Sequence, residues 1–351
     1  MGEIVVTVKL RLRDKHAREL TRQARAVNFV WNFCNETQKK AVGMGRPWLS
    51  AFELMRLTAG SSKELGLHAH TIQRVCKQYV ESRKQQGRPW LRFRGRKSLG
   101  WVPFNTGHVT LDGAGFRFNG ARFDPMHLRD LLNAGDGFAA GSFNQDARGR
   151  WYINLPVADA RQDSSPCGSV GVDLGLKALA SMSDGSVIEA PRFYRASEEA
   201  LSTAQRARKS KRAKAIHAKA RNRRKDFLHK ASRALAERYG TIIVGDVSPS
   251  KLAKTRMAKS VNDAGWAGFK HMLSYKAIRH GGRFLEVSEA YSTQICSACG
   301  SLPSSRPKGI AGLGIRGWTC DDCGAVHDRD VNAARNILRV GLNTLAEGVR
   351  Q

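Results

Sequence analysis

The stretch SVGVDLGLKALASMSDGSVIEA, residues 169–190, contains the pattern that decides the fold of the C-terminal half. Its apolar start predicts a buried strand that ends near Asp173, with Gly175 two residues later, and a second strand and a hairpin turn at Asp184-Gly185 follow. A carboxylate at the end of a buried strand is unfavourable unless it binds something. The stretch therefore predicts a central strand and a candidate site residue together.

The segments on either side predict two further regions. Downstream, a basic helix, the strand TIIVGD (241–246), a helical stretch around 262–280, the strand RFLEVSEA (283–290), a cysteine region and a helix from about 331 follow in order. This order predicts an α/β layer fold whose early strand is central and whose later strands join it in parallel. Upstream, residues 3–12 predict a strand, 14–86 predict helices, and several short strands between Gly, Asn and Asp turns predict a small barrel or sandwich.

The charge balance indicates a polyanionic partner. The 351 residues, enough for two or three compact units, contain 59 Lys and Arg against 30 Asp and Glu, for a net charge of +29. Such an excess destabilises a compact state that has no counter-charge, and nucleic acid is the usual partner. No apolar run approaches the roughly 18 residues of a membrane span, and no signal peptide follows Met1. Nucleic acid is therefore preferred over an anionic membrane.

Two segments concentrate the candidate nucleic-acid contacts. Residues 87–105 interleave cations with aromatic side chains, which suits phosphates and stacked bases, although a strand with a charged edge would look similar. Residues 206–225 contain eleven Lys and Arg and no acid, so the predicted helix is either solvated or held against phosphate. The predicted contacts are Arg92, Arg94, Arg96, Lys97, Arg208, Lys209, Lys211, Arg212, Arg221, Arg223 and Arg224.

Four of the seven cysteines form a metal-binding pattern. Two CxxC knuckles, each followed by glycine, are typical of a structural zinc site with four thiolates. The ligands are Cys296, Cys299, Cys320 and Cys323. Four thiolates leave no vacancy for His327, and Cys34, Cys76 and Cys167 are expected to be small buried apolar residues.

The second knuckle runs directly into HDRDVNAARNIL, residues 327–338, which places Asp330 at the start of the last helix. Phosphodiester hydrolysis by two Mg²⁺ ions requires carboxylates that converge from separate elements. Taken alone, Asp330 could be such a ligand or simply a helix N-cap.

These motifs together resemble the TnpB family, transposon-encoded RNA-guided DNA nucleases related to compact type V CRISPR effectors. GVDLGLKALAS, the basic helix, DFLHKAS, the knuckles and HDRDVNAARNIL carry the resemblance over about 168–340, and the N-terminal half matches in architecture only. The resemblance implies an α+β multidomain protein. The implied parts are a wedge-like β-barrel (1–13 and 87–157), an inserted helical recognition lobe (14–86), a linker (158–169), an RNase H-like RuvC domain (170–291 and 328–351) and a zinc ribbon that binds target nucleic acid (292–327).

The resemblance also implies that Asp173 and Asp330 are the first and last catalytic carboxylates, with Asp330 preferred over Asp328. The family usually has a glutamate where this chain has Gly245, and the adjacent Asp246 should point to the opposite face of the strand. Either the site is inactive or the carboxylate has moved to Glu289, after the neighbouring strand. Glu286 lies inside that strand, so Glu289 is the preferred candidate.

The resulting hypothesis is a prokaryotic, cytoplasmic endonuclease that acts on nucleoid DNA. Asp173, Glu289 and Asp330 would hold two catalytic Mg²⁺ ions, and a guide RNA from the transposon end would select double-stranded target DNA beside a short motif. One chain is expected to act with one RNA. A nuclease-dead RNA-guided repressor is the alternative, and a DNA transposase acting without RNA is a third possibility.

Overall fold

The computed structural model describes residues 4–127, 138–159, 166–247, 258–308 and 311–348. The chain divides into two compact units, Met1–Ala160 and Arg161–Gln351. Of the predicted linker at 158–169, residues 158–159 end a strand, 160–165 lie outside the described residues, and 166–168 have no regular structure.

The helical prediction for 14–86 is confirmed. The helices of this region are α1 (Ala17–Gly43), α2 (Ala51–Leu57), α3 (Ser62–Leu65) and α4 (Ala69–Gln86). Cys34 and Cys76 lie in their shared core with Sγ atoms 3.8 Å apart, as small apolar residues are expected to do. Cys167 is exposed, so its predicted burial was wrong; it precedes a strand whose first residue, Ser169, is itself exposed.

The strands of the N-terminal unit form two antiparallel sheets. They are β1 (Ile4–Arg11), β2 (Trp101–Phe104), β3 (Thr110–Asp112), β4 (Gly115–Phe118), β5 (Ala121–Phe123), β6 (Gly141–Gln145) and β7 (Trp151–Asp159). One sheet has the order β1-β7-β6-β2 and the other the order β3-β4-β5. The predicted barrel is not closed within the described residues, because β1 and β2 remain edge strands and β3 to β5 are only three or four residues long. Buried phenylalanines of both sheets, including Phe118 and Phe143 with ring centroids 5.2 Å apart, pack against each other instead.

The C-terminal unit contains a five-stranded mixed sheet of order β10-β9-β8-β11-β12. Its elements are β8 (Ser169–Leu174), β9 (Ala178–Met182), β10 (Val187–Glu189), α5 (Glu198–Arg206), α6 (Ser210–Arg238), β11 (Thr241–Gly245), α7 (Ala258–Ala264), α8 (Trp266–Arg279), β12 (Arg283–Val287) and α9 (Arg329–Gly348). The early strand β8 is central, and β11 and β12 join it in parallel. The predicted topology is confirmed, because apolar strands buried on both faces pair in parallel through helical crossovers.

Helix α9 packs with its backbone unusually close to the sheet. A Cβ added to Gly171 of β8 would lie 2.0 Å from the Ala334 carbonyl oxygen, and one added to Gly341 would lie 2.4 Å from Ile243. Glycine at both contacts is therefore required for this close approach. The contact fixes the start of α9 relative to the end of β8.

A small ribbon separates β12 from α9. Its two strands, β13 (Gly317–Thr319) and β14 (Val326–Asp328), pair antiparallel between and after the cysteine knuckles. Its buried cluster consists of Trp318 with two cysteines, Cys296 and Cys320. Within the described residues, no helix combines the length and the apolar character that a membrane span requires.

Candidate functional site

The four predicted thiolates converge in the ribbon. The Sγ atoms of the four cysteines all lie within 4.8 Å of one another. The Sγ atoms of Cys296 and Cys323 are 3.7 Å apart, and those of Cys299 and Cys320 are 3.9 Å apart. A tetrahedral zinc ion with Zn–S bonds of about 2.3 Å requires sulfur atoms about 3.8 Å apart. These two distances match that spacing, so the four cysteines could bind a zinc ion.

Neighbouring groups stabilise the thiolates. The Ser301 hydroxyl lies 3.0 Å from Cys299 Sγ, and this contact and the Ser301 backbone lower the pKa of that thiol to about 6. His327 Nε2 lies 3.0 Å from Cys296 Sγ, where it can donate to the thiolate. That four thiolates leave no coordination position for His327 stays a prediction, and its contact with Cys296 had no sequence signal.

The ribbon also fixes the start of α9. Asp328, at the end of β14, accepts the backbone N–H groups of Asp330 and Val331 at 3.0 and 2.9 Å, so Asp328 caps the helix. Asn332 and Asn336 are buried, and both donate to the carbonyl oxygens of residues 292 and 295, just before the first knuckle. The Asp330 carboxylate is therefore not needed as a cap.

Asp173 lies near two other carboxylates. It is the fifth residue of β8, and burial followed by repulsion from Asp330 and Glu289 raises its pKa to about 8. Arg329 and Arg316 oppose this shift but do not cancel it. An acid whose pKa is raised by burial and by neighbouring carboxylates is typical of a cation-binding site.

Glu289 occupies the space beside Gly245. A Cβ added to Gly245 would lie 3.0 Å from Glu289 Oε2 and 3.3 Å from Glu289 Cβ. Residue 289 is two positions beyond Val287, which pairs with Gly245, and Asp246 Oδ1 accepts its backbone N–H at 3.2 Å. Burial raises the pKa of Glu289, and the charge of Asp246 adds to this shift. Glu289 thus lies where a side chain at position 245 would begin.

Asp330 is held by two arginines. Its Oδ2 lies 2.6 Å from Arg316 Nη1, and its Oδ1 lies 3.3 Å from Arg329 Nη2. Among the described residues, the ligand atoms of Asp173, Glu289 and Asp330 do not all lie within 4.8 Å of one another. The three carboxylates therefore do not form a compact one-ion cluster among the described residues.

The other nearby acids have protein partners. Glu286 lies inside β12, as expected, and forms an ion pair with Lys270. Asp246 follows β11, is exposed, and anchors the backbone of Glu289. Neither carboxylate is among the groups that act most strongly on Asp173.

In magnesium-free buffer, a rise from about pH 5 to about pH 8 is expected to destabilise the C-terminal unit. Because the folded-state pKa of Asp173, about 8, exceeds its ordinary value of 3.8, its stabilising contribution is complete below pH 3.8 and is lost as the pH rises through 8. Asp173→Asn removes this loss. Its melting temperature should exceed the wild type's by several degrees at pH 8, since about 1 kcal/mol corresponds to about 2–4 °C in a unit of this size.

Differential scanning fluorimetry across this pH range measures the effect. Asp184→Asn is the control, because hydrogen bonds from Ser186 and Tyr239 lower the pKa of Asp184 to about 2, outside the range tested. Identical pH slopes for Asp173→Asn and the wild type would contradict the proposed electrostatics.

Most of the predicted nucleic-acid contacts are exposed. The basic segment 206–225 is interrupted: α5 ends at Arg206, Arg208 has a positive φ of 52°, and α6 begins at Ser210. The exposed cations are Arg92, Arg96, Lys97, Arg208, Lys209, Lys211, Arg212, Arg221 and Arg223.

Arg94 and Arg224 have protein partners. Arg94 donates to Asn28 and to the Leu99 carbonyl, and burial lowers its pKa. It lies in an extended segment that side chains of α1 hold by backbone contacts, rather than in the strand considered as an alternative. Arg224 pairs with Asp263 at 3.1 Å. Each of these arginines is therefore better placed to support its own unit than to contact phosphate.

Arg224 and Arg316 line a cavity of about 410 Å³ in the C-terminal unit. Three further cations, Lys177, Arg192 and Arg195, line the same cavity. The lining has five cations and one acid, Asp263, so the recess is strongly basic. One of the five cations, Arg316, also holds Asp330. Such a recess attracts phosphate.

Two family models match the C-terminal part of the chain. The model described as "Cas12f1-like, TNB domain" matches residues 266–337, and the model described as "Probable transposase" matches residues 153–256. The first covers the ribbon and the start of α9, and the second covers most of the sheet together with the basic helix.

Similarity to known proteins extends over nearly the whole chain. A protein of Streptomyces pristinaespiralis named as an RNA-guided DNA endonuclease is 31% identical over 96% of this chain and 89% of its own length. The protein InsQ of Escherichia coli K12, with the same description, is 26% identical over 94% of this chain and 90% of its own length. The structure of a Cas12f1–sgRNA–target DNA complex aligns with a TM-score of 0.59 at 12% identity, covering 95% of this chain and 98% of that one. This structural likeness concerns the fold alone.

Proposed function

The chain belongs to the TnpB family of RNA-guided DNA endonucleases, and from this premise we propose that it cleaves target DNA selected by a guide RNA. What supports the proposal most is that the charges of Asp330, from α9, and Glu289, which follows β12, both raise the pKa of Asp173 in β8. This strand order, in which the central β8 pairs antiparallel with β9 and in parallel with β11, and β12 pairs in parallel with β11, is the one expected of an RNase H-like RuvC domain.

Asp173, Glu289 and Asp330 are proposed to hold two Mg²⁺ ions. Oxygen ligands from three separate elements suit this hard cation. Bound there, Mg²⁺ supplies activation of water and charge neutralisation at the leaving 3′ oxygen. Asp173 contributes from the rigid central strand, while the Asp328 cap leaves the Asp330 carboxylate available.

The position of Glu289 argues against the nuclease-dead alternative. A dead site would leave the space beside Gly245 to water or to an apolar side chain, whereas here a carboxylate fills it. Its pKa is raised by burial and by the charge of Asp246, which is unfavourable for an acid with no ligand to bind. An active nuclease is therefore preferred to the nuclease-dead alternative.

The remaining parts are assigned by the same proposal. The exposed cations of α6 and of the extended segment 87–100 would bind RNA and DNA phosphates, and the ribbon (292–327) would contact target nucleic acid. The proposed RNA derives from the transposon end, and one chain is proposed to bind one RNA. The helical lobe (14–86) and the sheets of the N-terminal unit would contact the RNA–DNA duplex and read a short adjacent motif.

The test uses the RNA that copurifies with the expressed protein. Sequencing this RNA defines its guide segment, and a plasmid bearing the complementary sequence beside randomised flanks is then incubated with the complex and Mg²⁺. The expected result is cleavage that requires the RNA, the match and the cation together. Cleavage or strand transfer of transposon ends without RNA would instead support a transposase.

Arg316→Ala is expected to tighten divalent-cation binding. Arg316 Nη1 lies 2.6 Å from Asp330 Oδ2, so this arginine competes with a cation for the same carboxylate. The concentration of Mg²⁺ or Mn²⁺ at half-saturation, measured by calorimetry without nucleic acid, should fall several-fold. Arg306→Ala is the control, because Arg306 of the same ribbon donates to the Pro303 carbonyl instead. Unchanged half-saturation would mean that Asp330 does not bind the cation.

A further inference from the structure

Three histidines of the N-terminal unit converge at one point, remote in sequence from the carboxylates and the thiolates. His68 precedes α4, His70 lies in its first turn, and His108 lies in the loop between β2 and β3. The ring centroids are 5.3 Å apart for His68 and His70, 4.6 Å for His68 and His108, and 4.4 Å for His70 and His108. One ligand atom from each histidine lies within 4.8 Å of the other two.

The three imidazole rings contact one another directly, and each pair of ring centroids is 5.3 Å apart or less. Burial lowers the pKa of His108, and the charges of His68 and His70 lower it further. Neutral imidazole is the form that binds metals.

Hydrogen bonds determine which ring atoms are available. His70 Nδ1 lies 3.2 Å from Gln73 Oε1, which can only accept, so this nitrogen carries the proton and Nε2 keeps its lone pair. Metal-bound histidines are usually oriented by such a bond on the second nitrogen. His68 Nδ1 accepts the His70 backbone N–H at 3.3 Å, a long bond that a cation can replace.

The loop that carries His108 is held in position by its own backbone. Gly107 has a positive φ of 78°, which favours glycine, and its N–H donates to the Phe138 carbonyl at 3.2 Å. The N–H of His108 donates to the Asn105 carbonyl. His108 thus reaches the start of α4 from a loop 40 residues away in sequence.

We propose that His68, His70 and His108 bind a divalent transition-metal ion, Zn²⁺ in the cell, with water in the remaining position. Imidazole ligands suit Zn²⁺, Ni²⁺ and Cu²⁺, and three histidines with one open position form a complete zinc shell. The ion links the N-terminus of α4 to the β2–β3 loop and so ties the helices of this unit to its strands. This site is separate from the thiolate cluster and predicts a second metal equivalent per chain.

Metal content of the untagged full-length protein tests the proposal. After equilibration with Zn²⁺ and gel filtration, mass spectrometry of the metal is expected to find two zinc ions per chain in the wild type and one in His70→Ala and in His108→Ala. His127→Ala, which removes an exposed histidine of the same unit, should keep two. One zinc ion in the wild type would overturn the proposal, and so would two zinc ions in both cluster variants.

Nickel provides an independent readout. Calorimetric titration of zinc-depleted wild type and His127→Ala with Ni²⁺ should show a binding event whose dissociation constant rises about 100-fold or more in His70→Ala and His108→Asn, because each variant loses a direct ligand. His70 is exposed, so its substitution leaves the fold intact, and equal melting temperatures of the metal-free proteins verify this. Equal nickel affinity in all the variants would contradict the site.

Discussion

Glu289→Gln is expected to reduce cleavage of a matched target by about 10³-fold or more, while the binding of RNA and DNA is unchanged. The substitution keeps the shape of the side chain that fills the space beside Gly245 but removes its charge. Loss of a ligand that positions a catalytic cation costs several kcal/mol of transition-state stabilisation, and each 1.4 kcal/mol is a factor of ten in rate. Single-turnover cleavage with programmed RNA measures the rate, and gel-shift titration measures binding.

Glu286→Gln is the matched control for this prediction. Glu286 lies three residues earlier and is paired with Lys270, so its substitution should leave the cleavage rate within a few-fold of the wild type. Full activity of Glu289→Gln would show that the site works without this carboxylate. Equal loss in both variants would point to damage to β12 rather than to the loss of a ligand.

A swap experiment tests the equivalence of positions 245 and 289 directly. Gly245→Glu alone should impair cleavage, because its Cβ would lie 3.0 Å from Glu289 Oε2 and the two carboxylates would crowd each other. The double variant Gly245→Glu/Glu289→Ala should cleave at least about tenfold faster than Glu289→Ala alone. A tenfold gain in rate requires only about 1.4 kcal/mol of transition-state stabilisation. The nearest remaining neighbour, Ile337 Cδ1 at 3.2 Å, belongs to a side chain that can adjust. A double variant as inactive as Glu289→Ala would show that a carboxylate at position 245 cannot replace the one at position 289.

Cys320→Ser is expected to unfold the ribbon and to abolish cleavage. Cys320 is fully buried, and the buried cluster of the ribbon consists of two ligand cysteines and Trp318, so little apolar contact remains without the metal. Structural zinc contributes about 10–16 kcal/mol of apparent binding free energy in small zinc domains. The variant should lose one zinc equivalent and become sensitive to proteolysis within 292–327. Cleavage should fall by at least about 100-fold, because the Asp328 cap and the backbone anchored by Asn332 depend on the ribbon.

Cys167→Ser is the control, because Cys167 is exposed and lies outside both knuckles. It should keep its zinc, its protease resistance and its cleavage rate. Normal cleavage by Cys320→Ser after confirmed loss of zinc would show that the start of α9 is positioned without the ribbon. Loss of cleavage after mild chelation of the wild type, and its restoration by added Zn²⁺, would support the expectation that cleavage depends on the zinc-bound ribbon.

Some features followed from the sequence because they depend on local spacing. Two CxxC knuckles with a glycine after each predict a cluster of four thiolates. The four sulfur atoms do lie close together in the structure. The apolar run before Asp173 has no polar face, so a central position in the sheet, covered on both faces, was the favourable one for this strand. The barrel does not close within the described residues, because short strands with tight turns pack as two sheets as readily as they close, and the sandwich that the sequence left open is the better description.

Other features depend on distances that the linear chain does not contain. Glu289 lies beside Gly245 because two parallel strands align Gly245 with Val287, two residues before Glu289. Asp328 caps α9 in place of Asp330 because it ends β14 directly before the helix, where its carboxylate accepts the Val331 backbone N–H. The sequence by itself determined which elements form and which thiolates meet. Tertiary packing alone decided which carboxylates and imidazoles share a site, because that depends on where strands and loops end in space.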